Sequence, residues 1–301
     1  MLGAYVIGYP IRHSLSPAMH NAAFRHSRID ARYQAIEVPP AELAAWVKEV
    51  RNPDLLGFNV TVPHKEAIAP MIDYSEGDAE LAGAVNTVIT LRGLDPERPP
   101  RAPGKKTRPA SEPRTPLIGR NTDTVGFRQS LKWDANVELS AARVVLLGAG
   151  GAARAVAVVA LQDKAASLVV ANRHVERATT LLQAVEGCNE GVTDISAISL
   201  DGAELAGALA EADVIVNATS VGLESTEVPV DPELIPAGSF VVDLIYRPRE
   251  TVFLRAARDR GALVLGGLGM LVYQAAAAFE AWTYEAAPVE LMRQAAEEAL
   301  G

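Results

Sequence analysis

A buried strand that leads directly into a glycine-rich loop and a helix most constrains the fold of this chain. Residues 143–147 read R-V-V-L-L, and residues 148–154 continue as G-A-G-G-A-A-R before an alanine-rich stretch. This run fits the G-x-G-x-x-G/A pattern, in which the first glycine permits a tight turn and the second lets the backbone approach a pyrophosphate. The first amides of the helix favour the phosphates. The segment predicts a dinucleotide site whose loop contacts come from Gly148, Ala149, Gly150, Gly151 and Ala152.

The end of the next predicted strand discriminates between the two nicotinamide dinucleotides. A site for NAD has an acidic residue there, which binds the ribose 2′-hydroxyl. Residues 172–177 of this chain instead read N-R-H-V-E-R. Two arginines four positions apart at a helix start can reach one phosphate, so the segment favours the 2′-phosphate of NADP. The predicted cofactor contacts here are Asn172, Arg173, His174 and Arg177.

Apolar runs alternate with alanine-rich helical stretches over much of the chain. Strands are predicted at residues 5–7, 56–62, 85–91, 143–147, 167–171, 214–217, 240–245 and 263–265. Helices are predicted at residues 17–26, 41–50, 152–161, 175–185 and 251–260. This α/β alternation predicts a parallel sheet with helices on its faces, and 301 residues suit two domains.

Composition excludes several classes of partner. The net charge of −9 argues against nucleic acid and against an anionic membrane surface, and no run of about 18 apolar residues is present. Cys188 is the single cysteine, so we expect no disulfide framework and a reducing, cytoplasmic location. The five histidines show no metal-ligand spacing, and no metal site is predicted.

Residues 92–120 depart from this composition. They hold seven prolines and eight Lys/Arg against three Asp/Glu. Such a stretch cannot bury enough apolar surface to order itself, so we predict that most of it is an extended hairpin loop.

Residues 59–65, N-V-T-V-P-H-K, carry a candidate proton donor. A strand over residues 56–62 directs Asn59 and Thr61 to the same face, and Pro63 ends the ladder because it has no N–H. Lys65 then lies at the mouth of the cleft that the strand end lines. A lysine held there beside hydrogen-bonding groups can act as an acid.

A second group of polar residues suits a small anionic substrate. Ser14 and Ser16 follow the first strand and can donate to a carboxylate, and Pro17 suits the first position of a helix. Asn86 in A-V-N-T adds an amide, and Asp123 in N-T-D adds a carboxylate. Residues 267–274, G-L-G-M-L-V-Y-Q, form a glycine turn that enters an apolar helix.

Taken together, these segments resemble the shikimate dehydrogenase family. The matching pieces run in order from Ser14 to Gln274 and read S-L-S-P, N-V-T-V-P-x-K, A-V-N-T, N-T-D, G-A-G-G-A, N-R, N-A-T-S-x-G and G-L-G-M-L-V-x-Q. The resemblance implies reversible, NADPH-dependent reduction of 3-dehydroshikimate to shikimate, in the pathway to aromatic amino acids. It leaves a homodimer open. It also implies a substrate domain of residues 1–122, to which the C-terminal helices of residues 267–301 return, and a Rossmann-like NADP domain of residues 123–266.

The resemblance implies a role for each candidate. Ser14 and Ser16 would bind the substrate carboxylate, and Lys65 would be the acid/base. The other substrate contacts would be Asn59, Thr61, Asn86, Asp123, Tyr246 and Gln274. Leu244 and Gly267 would line the nicotinamide end. Hydride arriving at a ketone leaves an alkoxide, which a lysine ammonium can stabilise and protonate. Whether Lys65 or Asp123 carries the proton stays open.

Three alternatives compete with this interpretation. A quinate/shikimate dehydrogenase that also takes NAD is disfavoured by Arg173. A non-catalytic NADP- or shikimate-sensing regulator on the same fold would not need the Lys65 and Asp123 pair. A tetrahydrofolate dehydrogenase-like enzyme fits a large pterin less well than the serine pair fits a small acid. Two positions depart from the family: His174 replaces a common threonine, and Gly77 lies where an acid is frequent.

Overall fold

The computed structural model describes residues 1–90 and 116–301, which form two six-stranded sheets covered by helices. The strands are β1 (Leu2–Gly8), β2 (Ala31–Glu37), β3 (Leu55–Val60), β4 (Tyr74–Ser75), β5 (Thr87–Thr90), β6 (Leu117–Arg120), β7 (Arg143–Leu147), β8 (Ser167–Asn172), β9 (Asp194–Ser199), β10 (Val214–Asn217), β11 (Phe240–Asp243) and β12 (Leu263–Gly266). The α-helices are α1 (Ser16–His26), α2 (Leu43–Glu49), α3 (Asp78–Ala82), α4 (Thr122–Gln129), α5 (Gly151–Gln162), α6 (Val175–Val185), α7 (Glu204–Ala210), α8 (Val252–Asp259), α9 (Leu268–Thr283) and α10 (Val289–Leu300).

The first sheet is mixed, with the order β2-β1-β3-β5-β6-β4. β1 pairs in parallel with β2 and β3, but β5 runs antiparallel to both β3 and β6. The predicted parallel arrangement is therefore confirmed for β2, β1 and β3 and for β4 with β6, but it is wrong for β5. A parallel connection needs a crossover to the opposite edge, usually through a helix. Residues 61–73 return to the sheet as β4, which is parallel to β6, and only the short α3 then separates β4 from β5. The chain therefore enters β5 from the edge at which β3 and β4 end.

The second sheet is parallel throughout, with the order β12-β11-β10-β7-β8-β9. This is the Rossmann-like arrangement, in which ligands bind at the carboxyl edge where the strand order reverses, here between β7 and β10. Helices cover both faces, so β7 and β10 are almost entirely buried apolar runs. The strands predicted at residues 143–147 and 214–217 and the helix at residues 175–185 are confirmed to the residue.

The C-terminal helices return to the first sheet, as predicted. Trp282 near the end of α9 donates its indole N–H to the Val88 carbonyl of β5 at 3.0 Å. Met292 and Ala296 of α10 are fully buried in a cluster that also contains Met19 of α1. α9 also packs along α4, the first helix after the first sheet. Burial of apolar side chains therefore stabilises the packing of α9 and α10 against the first sheet and its helix α1.

Several predicted boundaries differ from the structure. The strand predicted at residues 56–62 ends at Val60, and the one predicted at residues 85–91 begins at Thr87. Helix α1 begins at Ser16, so that Pro17 takes the second helical position instead of the first. The stretch predicted as a hairpin loop contains strand β6, and its residues 92–115 lie outside the described residues. No helix within the described ranges is long and apolar enough to cross a membrane.

Candidate active site

Chain direction gathers the polar residues of the first sheet at one edge. β1 and β3 end there, and antiparallel β5 begins there, so that Asn59 pairs with Thr87 in the ladder. β6 runs antiparallel to β5, and the residue that follows it, Asn121, emerges at the same edge. The Asn121 side chain then caps α4, accepting from the Asp123 N–H at 3.1 Å.

Lys65 and Asp123 form a nearly buried ion pair at this edge. The Lys65 Nζ lies 2.5 Å from Asp123 Oδ2, and the two side chains are 13% and 6% exposed. The Lys65 backbone is held as well, because its carbonyl accepts from the Val85 N–H at 2.8 Å. Charge-assisted bonds of this length are the strong ones. The pair therefore presents a positioned ammonium with little room to reorient.

The Asn86 amide joins this pair to helix α9. Its Nδ2 donates to Asp123 Oδ1 at 2.8 Å and to Gln274 Oε1 at 3.3 Å, while its Oδ1 accepts from the Thr122 N–H at 2.7 Å. The structure thus brings Lys65, Asn86, Asp123 and Gln274 into one hydrogen-bonded group, although they come from four separate segments of the chain.

A glycine allows the two helices that carry Asp123 and Gln274 to touch. A Cβ built on Gly126 of α4 would lie 2.6 Å from the Met270 carbonyl oxygen and 2.8 Å from Gln274 Cβ. Real Cβ atoms do not approach so closely, so a larger residue would push α9 away from α4. This position was not predicted from the sequence, in which a helical glycine is its only local signal.

The Asn59 side chain lies in the interior of the first sheet, where it supports the hydrogen-bonded group from the protein side. Its two amide hydrogens go to the Asn86 carbonyl at 3.2 Å and to Thr87 Oγ1 at 2.9 Å, and its Oδ1 accepts from the Tyr33 hydroxyl at 2.6 Å. The side chain is buried. Because both N–H groups are committed to the protein, the geometry does not favour the predicted direct donation from Asn59 to a substrate.

The serine segment lies beside the ends of β1 and β3. Ser16 is buried at the start of α1, and its N–H donates to Ser14 Oγ at 3.3 Å. Half-buried Thr61 follows β3, and its N–H donates to the Ile7 carbonyl of β1 at 2.9 Å. A Cβ on Gly8 would lie 2.6 Å from Thr61 Cγ2, so the absence of a side chain at Gly8 leaves room for the Thr61 side chain.

The glycine-rich loop contacts the candidate acid/base residue. Gly148 has a φ of +104°, which suits the tight turn, and a Cβ there would lie 3.1 Å from the Ala218 backbone. Gly150 precedes α5 with open space where a side chain would be. A Cβ on Gly151 would lie 2.9 Å from Lys65 Cβ. The predicted phosphate loop, completed by buried Ala149 and half-buried Ala152, therefore lies directly against Lys65.

Two exposed arginines flank the carboxyl end of β8. Arg173 and Arg177 are both exposed, as is His174 between them. Asn172 ends the strand, and its Nδ2 donates to the His174 carbonyl at 2.9 Å. The predicted cofactor contacts thus surround the start of α6 and keep their cationic groups in solvent, where a phosphate can reach them.

The predicted nicotinamide contacts lie where β11 meets α9. The Leu244 N–H donates to the Asn217 carbonyl at 3.0 Å, and the Gly267 N–H donates to the Ile245 carbonyl at 3.1 Å. A Cβ on Gly267 would collide with the Leu244 carbonyl, so only glycine fits. Half-buried Tyr246 packs against the core of the first sheet, and burial raises the pKa of its phenol.

Arg154 is a buried link that was not predicted from the sequence. This residue of α5 is 7% exposed, and its guanidinium donates to the Ala82 carbonyl at 3.0 Å and to Glu66 Oε2 at 3.1 Å. Glu66 follows Lys65 in the chain. The nucleotide-side helix is therefore tied to the segment that carries the lysine. Within residues 1–90 and 116–301, no group of three His, Cys, Asp or Glu side chains could hold a metal ion.

The fold and the site together define a dehydrogenase that pairs a Rossmann-like dinucleotide sheet with a mixed substrate sheet. Family models match three parts of the chain. The model of the shikimate dehydrogenase substrate binding domain matches residues 6–88, that of shikimate / quinate 5-dehydrogenase matches residues 131–231, and that of the shikimate 5'-dehydrogenase C-terminal domain matches residues 267–297. The chain belongs to the shikimate dehydrogenase family.

Curated and solved relatives cover nearly the whole chain. It is 41% identical over 295 residues to the shikimate dehydrogenase (NADP(+)) of Methanopyrus kandleri, covering 96% of this chain and 93% of that one. It is 41% identical over 298 residues to the enzyme of the same name from Moorella thermoacetica, covering 98% and 92%. The solved shikimate 5-dehydrogenase of Thermus thermophilus, in complex with NADP(H) and shikimate, superposes with a TM-score of 0.80 at 35% identity over 100% of both chains.

Proposed function

We propose that this protein is an NADP-dependent shikimate dehydrogenase, which reversibly reduces 3-dehydroshikimate to shikimate in the pathway to aromatic amino acids. The observation that carries the proposal is the contact between the phosphate loop at Gly151 and Lys65, which is itself paired with Asp123. A proton donor is thereby held beside the dinucleotide site. The names of the relatives give the same activity and the same cofactor.

Each group of the site has a role in this reaction. Ser14 and Ser16 bind the substrate carboxylate, while Thr61 and Gln274 bind its hydroxyls. Bound at the glycine-rich loop, NADPH would supply the hydride that reduces the carbonyl carbon. The Lys65 ammonium stabilises the alkoxide that forms and is the candidate donor of its proton. The other substrate contacts are Asn86, Asp123 and Tyr246.

Asp123 orients the donor. Its Oδ2 holds Lys65 Nζ and its Oδ1 is held by Asn86, so the ammonium cannot swing away from the reacting oxygen. Such positioning lowers the barrier because the reacting groups need not be ordered during the reaction. Asn59 supports this arrangement from behind instead of touching the substrate.

We assign NADP to the nucleotide site. The exposed pair Arg173 and Arg177 at the end of β8 suits a 2′-phosphate, and no acid ends that strand. Leu244 and Gly267 would line the nicotinamide end, and His174 would contact the ribose phosphate. The residues fit the cofactor because the glycine loop leaves open space at Gly150, where a pyrophosphate can approach the backbone.

We further propose the division into residues 1–122 with 267–301 for the substrate and residues 123–266 for NADP. Closure of the cleft between them excludes water from the reacting pair. The acidic charge and the single cysteine suit a cytoplasmic enzyme with a small-molecule substrate and no nucleic acid or membrane partner. A homodimer is the proposed assembly, and light scattering of the purified protein tests it.

The function is tested by absorbance at about 340 nm, where NADPH absorbs. Purified protein with shikimate and NADP should form NADPH, and the pairs with NAD or with quinate should react far more slowly. The serine pair motivates the preference for shikimate, because it leaves room only for the smaller ring substituents. Equal kcat/KM for shikimate and quinate would refute that preference. If the folded protein binds NADP but reacts with none of these combinations of substrate and cofactor, the result would instead indicate the non-catalytic sensing regulator.

A further inference from the structure

A fully buried tyrosine lies outside every assigned role and next to the substrate site. Tyr33 of β2 is 2% exposed, and its hydroxyl donates to Asn59 Oδ1 at 2.6 Å. Asn21 of α1 clamps its backbone with two bonds of 2.9 Å, one to the Tyr33 N–H and one to its carbonyl. The His20 ring stacks on the Tyr33 ring, with centroids 4.3 Å apart. The phenol is therefore held from several sides.

The Tyr33 hydroxyl begins a chain of hydrogen bonds that point one way. Asn59 accepts from Tyr33 and donates to Thr87 Oγ1 at 2.9 Å. The Thr87 hydroxyl donates in turn to Asn86 Oδ1 at 3.0 Å, and its oxygen also lies 2.9 Å from Thr122 Oγ1. Asn86 then donates to Asp123 Oδ1 at 2.8 Å. Each donor thus points along the chain toward Asp123, and hydrogen bonds aligned in one direction strengthen one another.

The first donor of the chain is the Tyr33 phenol. Burial raises the pKa of the Tyr33 phenol well above its ordinary value, against a smaller opposing effect of the nearby Ser16 side chain. The phenol therefore stays protonated at neutral pH and serves as a donor. Tyr33, Asn59, Thr87 and Asn86 thus connect the interior of the first sheet to the proposed acid/base pair.

We propose that Tyr33 is a positioning residue for the dehydrogenase reaction: its hydroxyl fixes the orientation of the Asn59 amide and, through Thr87 and Asn86, the placement of Asp123 and Lys65. The inference rests on the proposed function. Tyr33 touches no reacting atom and acts only through Asn59. If the Tyr33 hydroxyl is removed, the buried Asn59 Oδ1 has no hydrogen-bond donor. The contact that fixes the orientation of the Asn59 amide, and so the direction of the hydrogen bonds that follow it, is then lost.

Tyr33→Phe tests the inference, because it removes one oxygen and keeps the stacked ring. We expect kcat/KM for shikimate to fall about tenfold to a hundredfold, the range for small misplacement of reacting groups, with the Kd for NADP within about twofold of wild type. Tyr5→Phe is the matched control. It removes the hydroxyl of a half-buried tyrosine in the neighbouring strand β1 that takes no part in the chain, and it should leave kcat/KM unchanged.

A double variant separates positioning from general structural support. In an Asn59→Ala background, Tyr33→Phe should cause no further loss of kcat/KM, since the hydroxyl then has nothing to orient. Asn59→Leu, which keeps the volume of the side chain, replaces Asn59→Ala if the latter fails to fold. Three results would each overturn the inference. The first is that Tyr33→Phe lowers kcat/KM by the same factor in the Asn59→Ala background as in the wild type. The others are that Tyr33→Phe weakens NADP binding as much as it lowers kcat/KM, or that its kcat/KM stays within about twofold of wild type. An inactive wild type refutes the proposed function as well, whereas an active wild type with an unaffected Tyr33→Phe refutes the inference alone.

Discussion

The imidazole of His20 should make the stability of this protein fall as the solution becomes mildly acidic. The side chain is completely buried among aromatic rings, 4.3 Å from the Tyr33 centroid and 5.1 Å from that of Trp282. Neither ring nitrogen has a hydrogen-bond partner within the described residues. Burial lowers the pKa of the imidazole from 6.5 to about 3, against a smaller opposing effect of Asn59. The folded protein therefore keeps His20 neutral.

The sign and size of the effect follow from proton linkage. Between about pH 3 and pH 6.5 the unfolded chain binds a proton at His20 that the folded chain does not, so the free energy of unfolding rises with pH across that window. The two pKa values give a loss of about 2 kcal/mol on going from about pH 7.5 to about pH 5. A loss of that size is a substantial part of the stability of an ordinary protein.

His20→Phe isolates this contribution, because it keeps an aromatic ring in the stack and removes both nitrogens. Urea unfolding curves for the two proteins at a series of pH values, followed by tryptophan fluorescence, give the two free energies of unfolding. Effects of the other titrating groups cancel in the difference. The wild type should lose about 2 kcal/mol more than the variant over the interval. Parallel pH profiles would mean that His20 is protonated in the fold or reaches solvent.

Three further substitutions test the site. Lys65→Ala should lower kcat about a hundredfold or more with a modest change in KM, because it removes the proton donor and leaves the binding groups; unchanged turnover in steady-state assays would exclude Lys65 from the mechanism. Arg173→Ala should raise KM for NADPH far more than KM for NADH, and an equal rise in both would rule out the contact with the 2′-phosphate. Gly126→Ala should destabilise the protein by about 1–3 kcal/mol and raise KM for shikimate, because its Cβ would lie 2.6 Å from the Met270 carbonyl oxygen. Helix propensity alone predicts stabilisation by about 1 kcal/mol, so higher stability in urea unfolding would contradict the close contact of α4 and α9.

The dinucleotide unit was predictable because its signals are local. The apolar run of β7, the glycines after it and the alanine-rich α5 are consecutive, and each has one physical meaning. The bounds of α6 and β10 likewise follow from local periodicity and turn residues. Buried parallel strands are continuous apolar runs, which stand out against the helices that separate them.

Features that depend on distant contacts were not predictable in this way. Strand β2 lies at the edge of the first sheet, and Tyr33 is its only fully buried residue, so it lacks an apolar run. Thr87 and Arg154 are ordinary residues in sequence, and their partners are 28 and 88 positions away. Asn59 fits the substrate motif, but the structure commits its amide to the interior. Motifs identify candidate residues, whereas partners decide which way each side chain faces.

The antiparallel direction of β5 is the least predictable feature and the one on which the site depends. In a parallel sheet all strands begin at one edge and end at the opposite edge. A residue that precedes one strand therefore lies far from the residues that follow the neighbouring strands. Asn86 precedes β5, and it would then lie a strand length away from Lys65 and Asp123, which follow β3 and β6. With β5 reversed, Asn86 lies beside them and donates to Asp123 Oδ1 at 2.8 Å. The same reversal pairs Asn59 with Thr87 and so creates the chain from Tyr33. The mixed order of the first sheet is therefore the condition for assembling the acid/base pair with its supporting amides.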